Sequence, residues 1–133
     1  MQKRGLDNLF QSARKNNIAI IARETLLRGF LTGKYQDTNK LVLPEAVKKE
    51  IDLFGKEQIL AGVKEIKNVN EQYGDYSLAQ LAIRFAISNQ NITIAILGIN
   101  RISYIKIDLE SVNVDINKDL ISNLKKIPDL EKC

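Results

Sequence analysis

The sequence predicts an α/β fold whose strands run parallel. Two runs, "NIAIIA" (17–22) and "ITIAILG" (92–98), are short, apolar and rich in β-branched residues, as strands buried on both faces are. Apolar residues at helical spacing fill the chain before, between and after them, and helices between strands imply a parallel sheet. Each run also leads into glycine: Gly29 and Gly33 follow the first, and Gly98 ends the second.

The elements follow in order. Leu6, Leu9, Phe10 and Ala13 recur at helical spacing and predict an amphipathic helix over 3–15. The first strand and its glycine loop come next. "QDTNKLVLPE" is polar, then apolar up to Pro44, a residue suited to the first turn of a helix. Val47, Ile51 and Phe54 line one side of that helix, and Gly55 ends it. Ile59, Leu60, Val63, Ile66 and Tyr73 outline a longer helix stopped by Gly74. "SLAQ" (77–80) is a capping-box signature: Ser77 accepts from a backbone N–H and Gln80 reaches back. It opens a helix carrying Leu78, Leu81, Ala82, Phe85 and Ala86. After the second strand, Asn100 or Ser103 starts a helix through Tyr104, Ile105 and Leu109, and a last helix near 117–126 carries Leu120, Ile121 and Leu124. No repeat or low-complexity tract interrupts the 133 residues, read as a single domain, 1–133. Two strands leave at least two sheet edges open, and open edges invite pairing with another chain.

Composition narrows the chemistry. Apolar residues make up 44% and charged residues 27%, which excludes wholesale disorder. No apolar run approaches the ~20 residues of a membrane span, and the amino terminus lacks the apolar core of a secretory signal, so a cytoplasmic address is expected. The chain has no histidine and one cysteine, Cys133, which removes Ser-His-Asp and Cys-His catalysis, an internal disulfide and a plausible zinc site. The net charge of +4 is spread among acids, as in "KKEIDLFGKEQ", rather than gathered into a basic stripe with aromatics, so no nucleic-acid partner is expected.

"RGFLTGKY" (28–35) raises the question of phosphate binding. It is not a Walker A loop: three residues rather than four separate Gly29 from Gly33, and Tyr35 follows Lys34 where Ser or Thr is required. The dinucleotide fingerprint G-x-G-x-x-G is absent too. Alone, the segment reads as a turn with flexible glycines. Gly98 shifts the balance, because it allows close approach of a ligand and precedes the N–H groups of a new helix. Paired loops at the carboxyl ends of two parallel strands are where an α/β barrel binds phosphate.

Two segments resemble a known family. "IAIIARETLLRGFLTGKY" is similar to the seventh strand and loop of aldo-keto reductases, with their Leu-x-x-Gly-x-Leu-Thr-Gly-Lys-Tyr run. "SLAQLAIRFAISNQNITIAILGINRISYIKIDLESV" resembles the following helix, the eighth strand, and the loop and helix that hold the cofactor's adenosine end. The resemblance runs from about residue 5 to residue 126. It implies a partial (β/α)8 TIM barrel, equivalent to strands 7 and 8 with their surrounding helices, from an oxidoreductase that uses NADP(H) to reduce aldehydes and ketones. The family's Asp-Tyr-Lys-His catalytic group lies on earlier strands and nothing here matches it, so no catalytic residue is assigned and the chain alone is expected to be inactive.

The resemblance also implies cofactor contacts. Arg23 lies at the strand exit, and Leu26, Gly29, Leu31 and Lys34 lie on the loop that wraps the pyrophosphate. Gly98, Asn100 and Arg101 fall where the next loop meets the adenosine phosphate, with Arg101 able to pair with a 2′-phosphate. Tyr104 can stack on adenine and Asp108 can accept from its amino group. Three departures weaken or abolish the site: Glu24 and Thr25 replace a frequent Ser-Pro or Val-Pro, and Ile107 replaces a common Glu. Two like charges ~4 Å apart cost up to about 4 kcal/mol at an effective dielectric near 20, so a Glu24 aimed at the pyrophosphate would oppose binding. The expected partners are a complementary amino-terminal half-barrel or a second copy, with a small carbonyl substrate only once a barrel is complete. The alternative expectation is a non-catalytic assembly module, or a truncated relic, pairing through exposed strand edges.

Overall fold

The computed structural model describes residues 6–35, 43–99 and 101–128. Among them the order is α1 (Leu6–Lys15), β1 (Ile21–Ala22), a 3-10 segment (Leu27–Thr32), α2 (Glu45–Phe54), α3 (Lys56–Glu71), α4 (Leu78–Ile87), β2 (Ile94–Ala95), α5 (Ile102–Val112) and α6 (Lys118–Lys126). β1 and β2 pair in parallel, Ile21 opposite Ile94 and Ala22 opposite Ala95. This is the helix-rich α/β arrangement with parallel strands that the sequence predicts.

The helices form for local reasons that the sequence displays. Ser77 accepts from the Gln80 N–H at 3.2 Å and the Gln80 side chain accepts from the Ser77 N–H at 2.9 Å, completing the capping box of α4. Pro44 stands just outside α2 at its N-cap, with Val47 and Phe54 buried and Ile51 half-buried on the predicted face. Gly55, at φ 76°, closes α2 and joins it directly to α3. Asn117 caps α6 by accepting from the Asp119 N–H at 2.7 Å. The first predicted helix starts at Leu6; its forecast residues 3–5 lie outside the described residues, as does most of the polar stretch before Pro44.

The core corrects one expectation. It is helical: Phe30, Leu31 and Tyr35 from the β1 exit loop pack with Val47, Phe54, Ile59, Val63, Ile66, Leu78, Leu81, Ala82, Leu120 and Leu124. The strands lie outside it. Ile18 and Ile21 of the first run, and Ile94 and Ile96 of the second, are exposed rather than buried on both faces. The regular ladder also spans two residues per strand instead of six or seven. The exposure follows from the count of strands: with only two among the described residues, the apolar side chains of the ribbon meet solvent where a larger sheet would be covered. The predicted apolar residues of α5, Ile105 and Leu109, are exposed as well, as is Leu9 of α1.

Candidate functional site

Parallel pairing sends both strand exits off the same end of the sheet. The Ile96 N–H donates to the Ala22 carbonyl at 2.9 Å, prolonging the ladder past the assigned strands, and Thr25 Oγ1 reaches the Ile96 carbonyl at 3.4 Å. The loop after β1 and the loop after β2 are therefore tied at their roots. The first carries Arg23, Leu26, Gly29, Leu31 and Lys34; the second carries Gly98 and Arg101. Asn100 lies outside the described residues.

The first loop has an unusual backbone. Glu24, Leu27 and Arg28 have φ values of 55°, 46° and 49°, and Gly29 follows at 98°. A left-handed conformation costs an L-residue roughly 1–2 kcal/mol, so something must hold this turn. Three contacts do. Phe30 and Leu31 are buried in the core. Tyr35 lies behind Gly29 and packs its ring 5.2 Å from that of Phe30. Arg28 donates from Nε to Glu50 Oε2 at 2.9 Å and from Nη2 to Glu24 Oε1. Glu50 is 7% exposed, so the arginine ties the loop to a buried carboxylate on α2. The hydrogen bond to Glu50, and the nearby charge of Glu24, hold the Arg28 guanidinium above its ordinary pKa.

This clasp changes the reading of Glu24. Arg28 is shared between Glu24 and Glu50, so the three groups keep a net charge of −1 and the repulsion expected from the sequence is only partly offset. The sequence offered no warning: Glu24 and Arg28 stand four apart, which signals a pair on a helix, but this is a turn, and Glu50 is 22 residues further on.

The remaining predicted contacts divide by accessibility. Arg23, Lys34, Gly98 and Arg101 are exposed. A Cβ built at Gly98 would meet nothing within 4 Å, so the backbone there is open to an approaching group. Lys34 Nζ rests 5.1 Å from the Tyr35 ring centroid, and the Arg101 guanidinium carbon lies 6.0 Å from the Tyr104 ring, at the outer limit of a cation–π contact. The Arg101 side chain makes no capping hydrogen bond at the start of α5. Leu26 is half-buried against the core; the Leu31 side chain lies within it and the Leu31 N–H already donates to the Leu26 carbonyl at 3.2 Å, so the predicted Leu31 contact has no donor left for a phosphate. Tyr104 is 39% exposed. Asp108 faces inward, 8% exposed, and burial raises its carboxyl pKa above the ordinary value.

With this geometry in place, comparison with known proteins identifies the class. The sequence model of the aldo/keto reductase family matches residues 2–129. The chain belongs to that family of oxidoreductases. Comparison with curated proteins finds no match. Among the described residues no helix is long and apolar enough to cross a membrane, and no group of three His, Cys, Asp or Glu could hold a metal ion.

Proposed function

We propose that this chain is the carboxyl-terminal, cofactor-gripping portion of an NADP(H)-dependent aldo-keto reductase, equivalent to strands seven and eight of the barrel. The observation that carries the reading is the parallel β1–β2 pair, whose two glycine-bearing exits leave one end of the sheet. The residues that support a dinucleotide phosphate are Gly98, which is open, and Lys34 and Arg101, which are exposed cations; Arg28, shared between Glu24 and Glu50, offsets the Glu24 charge only in part.

When bound, the nicotinamide supplies the hydride that reduces a carbonyl group. This chain's residues would only bind and orient. The backbone around Gly29, whose own N–H already donates to the Leu26 carbonyl at 2.9 Å, would approach the pyrophosphate, Lys34 would offer charge to it, and Arg101 would pair with a 2′-phosphate, which would favour NADP(H) over NAD(H). Tyr104 stacks on adenine. Asp108 can accept a hydrogen bond only if α5 gives at its inner face. A complementary amino-terminal half-barrel would bring the proton donor and the substrate pocket, in the cytoplasm. Alone, the chain reduces no carbonyl compound.

Calorimetric titration of the full chain with NADPH and NADH tests this. The reading expects NADPH to bind, more tightly than NADH, without turnover of aldehydes. Absence of heat with NADPH, both alone and with a complementary amino-terminal portion, would overturn it. A second reading, a non-catalytic module pairing through its strands, draws on the exposed Ile18, Ile21, Ile94 and Ile96. It expects Ile94→Lys to abolish self-association while NADPH has no effect.

A further inference from the structure

Helix α5 is held to the rest of the chain by very little. Of its residues only Asp108 and Ser111 are buried, and every other residue from Ile102 to Val112 is exposed. It contributes no side chain to the apolar core. The Ser111 hydroxyl donates to the Ile107 carbonyl of its own helix at 2.7 Å, so it makes no tie to a neighbour. Most helices in proteins owe their stability to a packed apolar face, and an eleven-residue helix without one is marginal.

One side chain crosses to it. Arg84, in the last turn of α4, donates from Nη1 to the Val112 carbonyl at 2.6 Å. Among the described residues this is the one hydrogen bond between α5 and another element. The last carbonyls of a helix have no partner within it. The N–H groups of Asn113 and Val114 serve Glu110 and Ser111 at 3.1 and 3.4 Å, which leaves Val112 to the guanidinium. A cation there also meets the negative end of the helix dipole. Arg84 is half-buried and its Nε is enclosed without a partner, so the side chain spans the two helices instead of extending into solvent.

We propose that Arg84 is a positioning residue of the dinucleotide site: it tethers the carboxyl end of α5 so that the amino end presents Arg101 and Tyr104 to the adenosine end of the ligand. The role rests on the cofactor reading proposed above. At 1.5 Å per residue, Tyr104 and Arg101 lie about 12–16 Å along the helix from Val112, so Arg84 acts through α5 and not by contact with the ligand. Without the tether, α5 stays joined to β2 at its amino end but leaves α4 and frays. A ligand that needs the docked helix then loses affinity in proportion to the fraction of chains in which α5 is docked.

Hydrogen exchange and calorimetry on the full chain, with Arg84→Lys and Arg84→Gln beside the parent, read the tether and the site separately. Without ligand, α5 amides should exchange faster in Arg84→Lys and fastest in Arg84→Gln, while α3 amides (Lys56–Glu71) keep the parent's rates. Affinity for adenosine 2′,5′-bisphosphate, which carries the adenosine end alone, should fall in the same order, by at least about fivefold in Arg84→Gln. Affinity that falls with unchanged α5 exchange reports lost charge alone and overturns the proposal. So does faster α5 exchange at unchanged affinity, or no change in either. If Arg84→Gln also loosens α3, Arg84→Lys alone decides, and parent-like exchange of its α5 overturns the proposal. A parent chain that binds neither this ligand nor NADPH overturns the cofactor reading and the positioning role with it; a parent that binds no better than Arg84→Gln overturns the positioning role alone.

Discussion

Replacing Gly29 by alanine tests how the first loop is held. Gly29 sits at φ 98°, and a Cβ placed there would meet Tyr35 Cε2 at 3.1 Å. The left-handed backbone alone costs an alanine roughly 1–2 kcal/mol. The Tyr35 ring is 5% exposed and packed on Phe30, so it has little room to withdraw, and the close contact adds a further cost of about 1 kcal/mol. Against this, alanine restricts the unfolded chain and returns about 0.4–1 kcal/mol. The net expectation is a destabilisation of about 2 kcal/mol, or a fall in Tm of about 6–10 °C for a domain of this size. Gly98→Ala is the matched control, with open space and no positive φ, and should stay within about 0.5 kcal/mol of the parent. Urea unfolding followed by circular dichroism measures both. Equal stability of the two variants would refute the account of the strained turn. If the cofactor reading also holds, Gly98→Ala weakens NADPH binding without changing the melt.

Four further outcomes are expected. Ser77→Ala removes the capping box and should cost about 1 kcal/mol in the same unfolding assay. Leu120→Ala empties a fully buried core position and should cost about 3 kcal/mol. Arg28→Gln leaves Glu50 without its cationic partner, so hydrogen exchange of the Leu27–Gly33 amides should accelerate; Arg28→Lys should restore part of the protection. Because burial raises the Asp108 pKa, the folded chain holds this proton to higher pH than the unfolded chain does. Stability therefore falls as pH rises from the ordinary carboxyl range to the raised value, then stays lower. Asp108→Asn should be more stable than the parent at neutral pH, with the difference vanishing in acid.

The helices were legible because each depends on neighbours in sequence. Ser77 and Gln80 announce their cap three residues apart, and Val47, Ile51 and Phe54 mark a face whatever they pack against. The apolar runs correctly located strands but not their length or burial, because a strand's environment depends on how many others join it, and no local pattern carries that count. The sequence assigned α5 no buried face, and Ile105 and Leu109 are exposed: whether an apolar face is covered depends on what is present to cover it. Among the candidate contacts, glycines at strand exits pointed to the loops. The Arg28–Glu50 clasp stayed hidden because it joins a turn to a helix 22 residues away, through a backbone conformation that no propensity favours.

The most direct test of the central claim is amide NMR on the labelled full chain titrated with NADPH. If both strand exits serve one dinucleotide, resonances of residues 23–35 and of 96–104 should move together, with a single dissociation constant. Movement of only one loop, or none in either, would contradict a shared site at that end of the sheet.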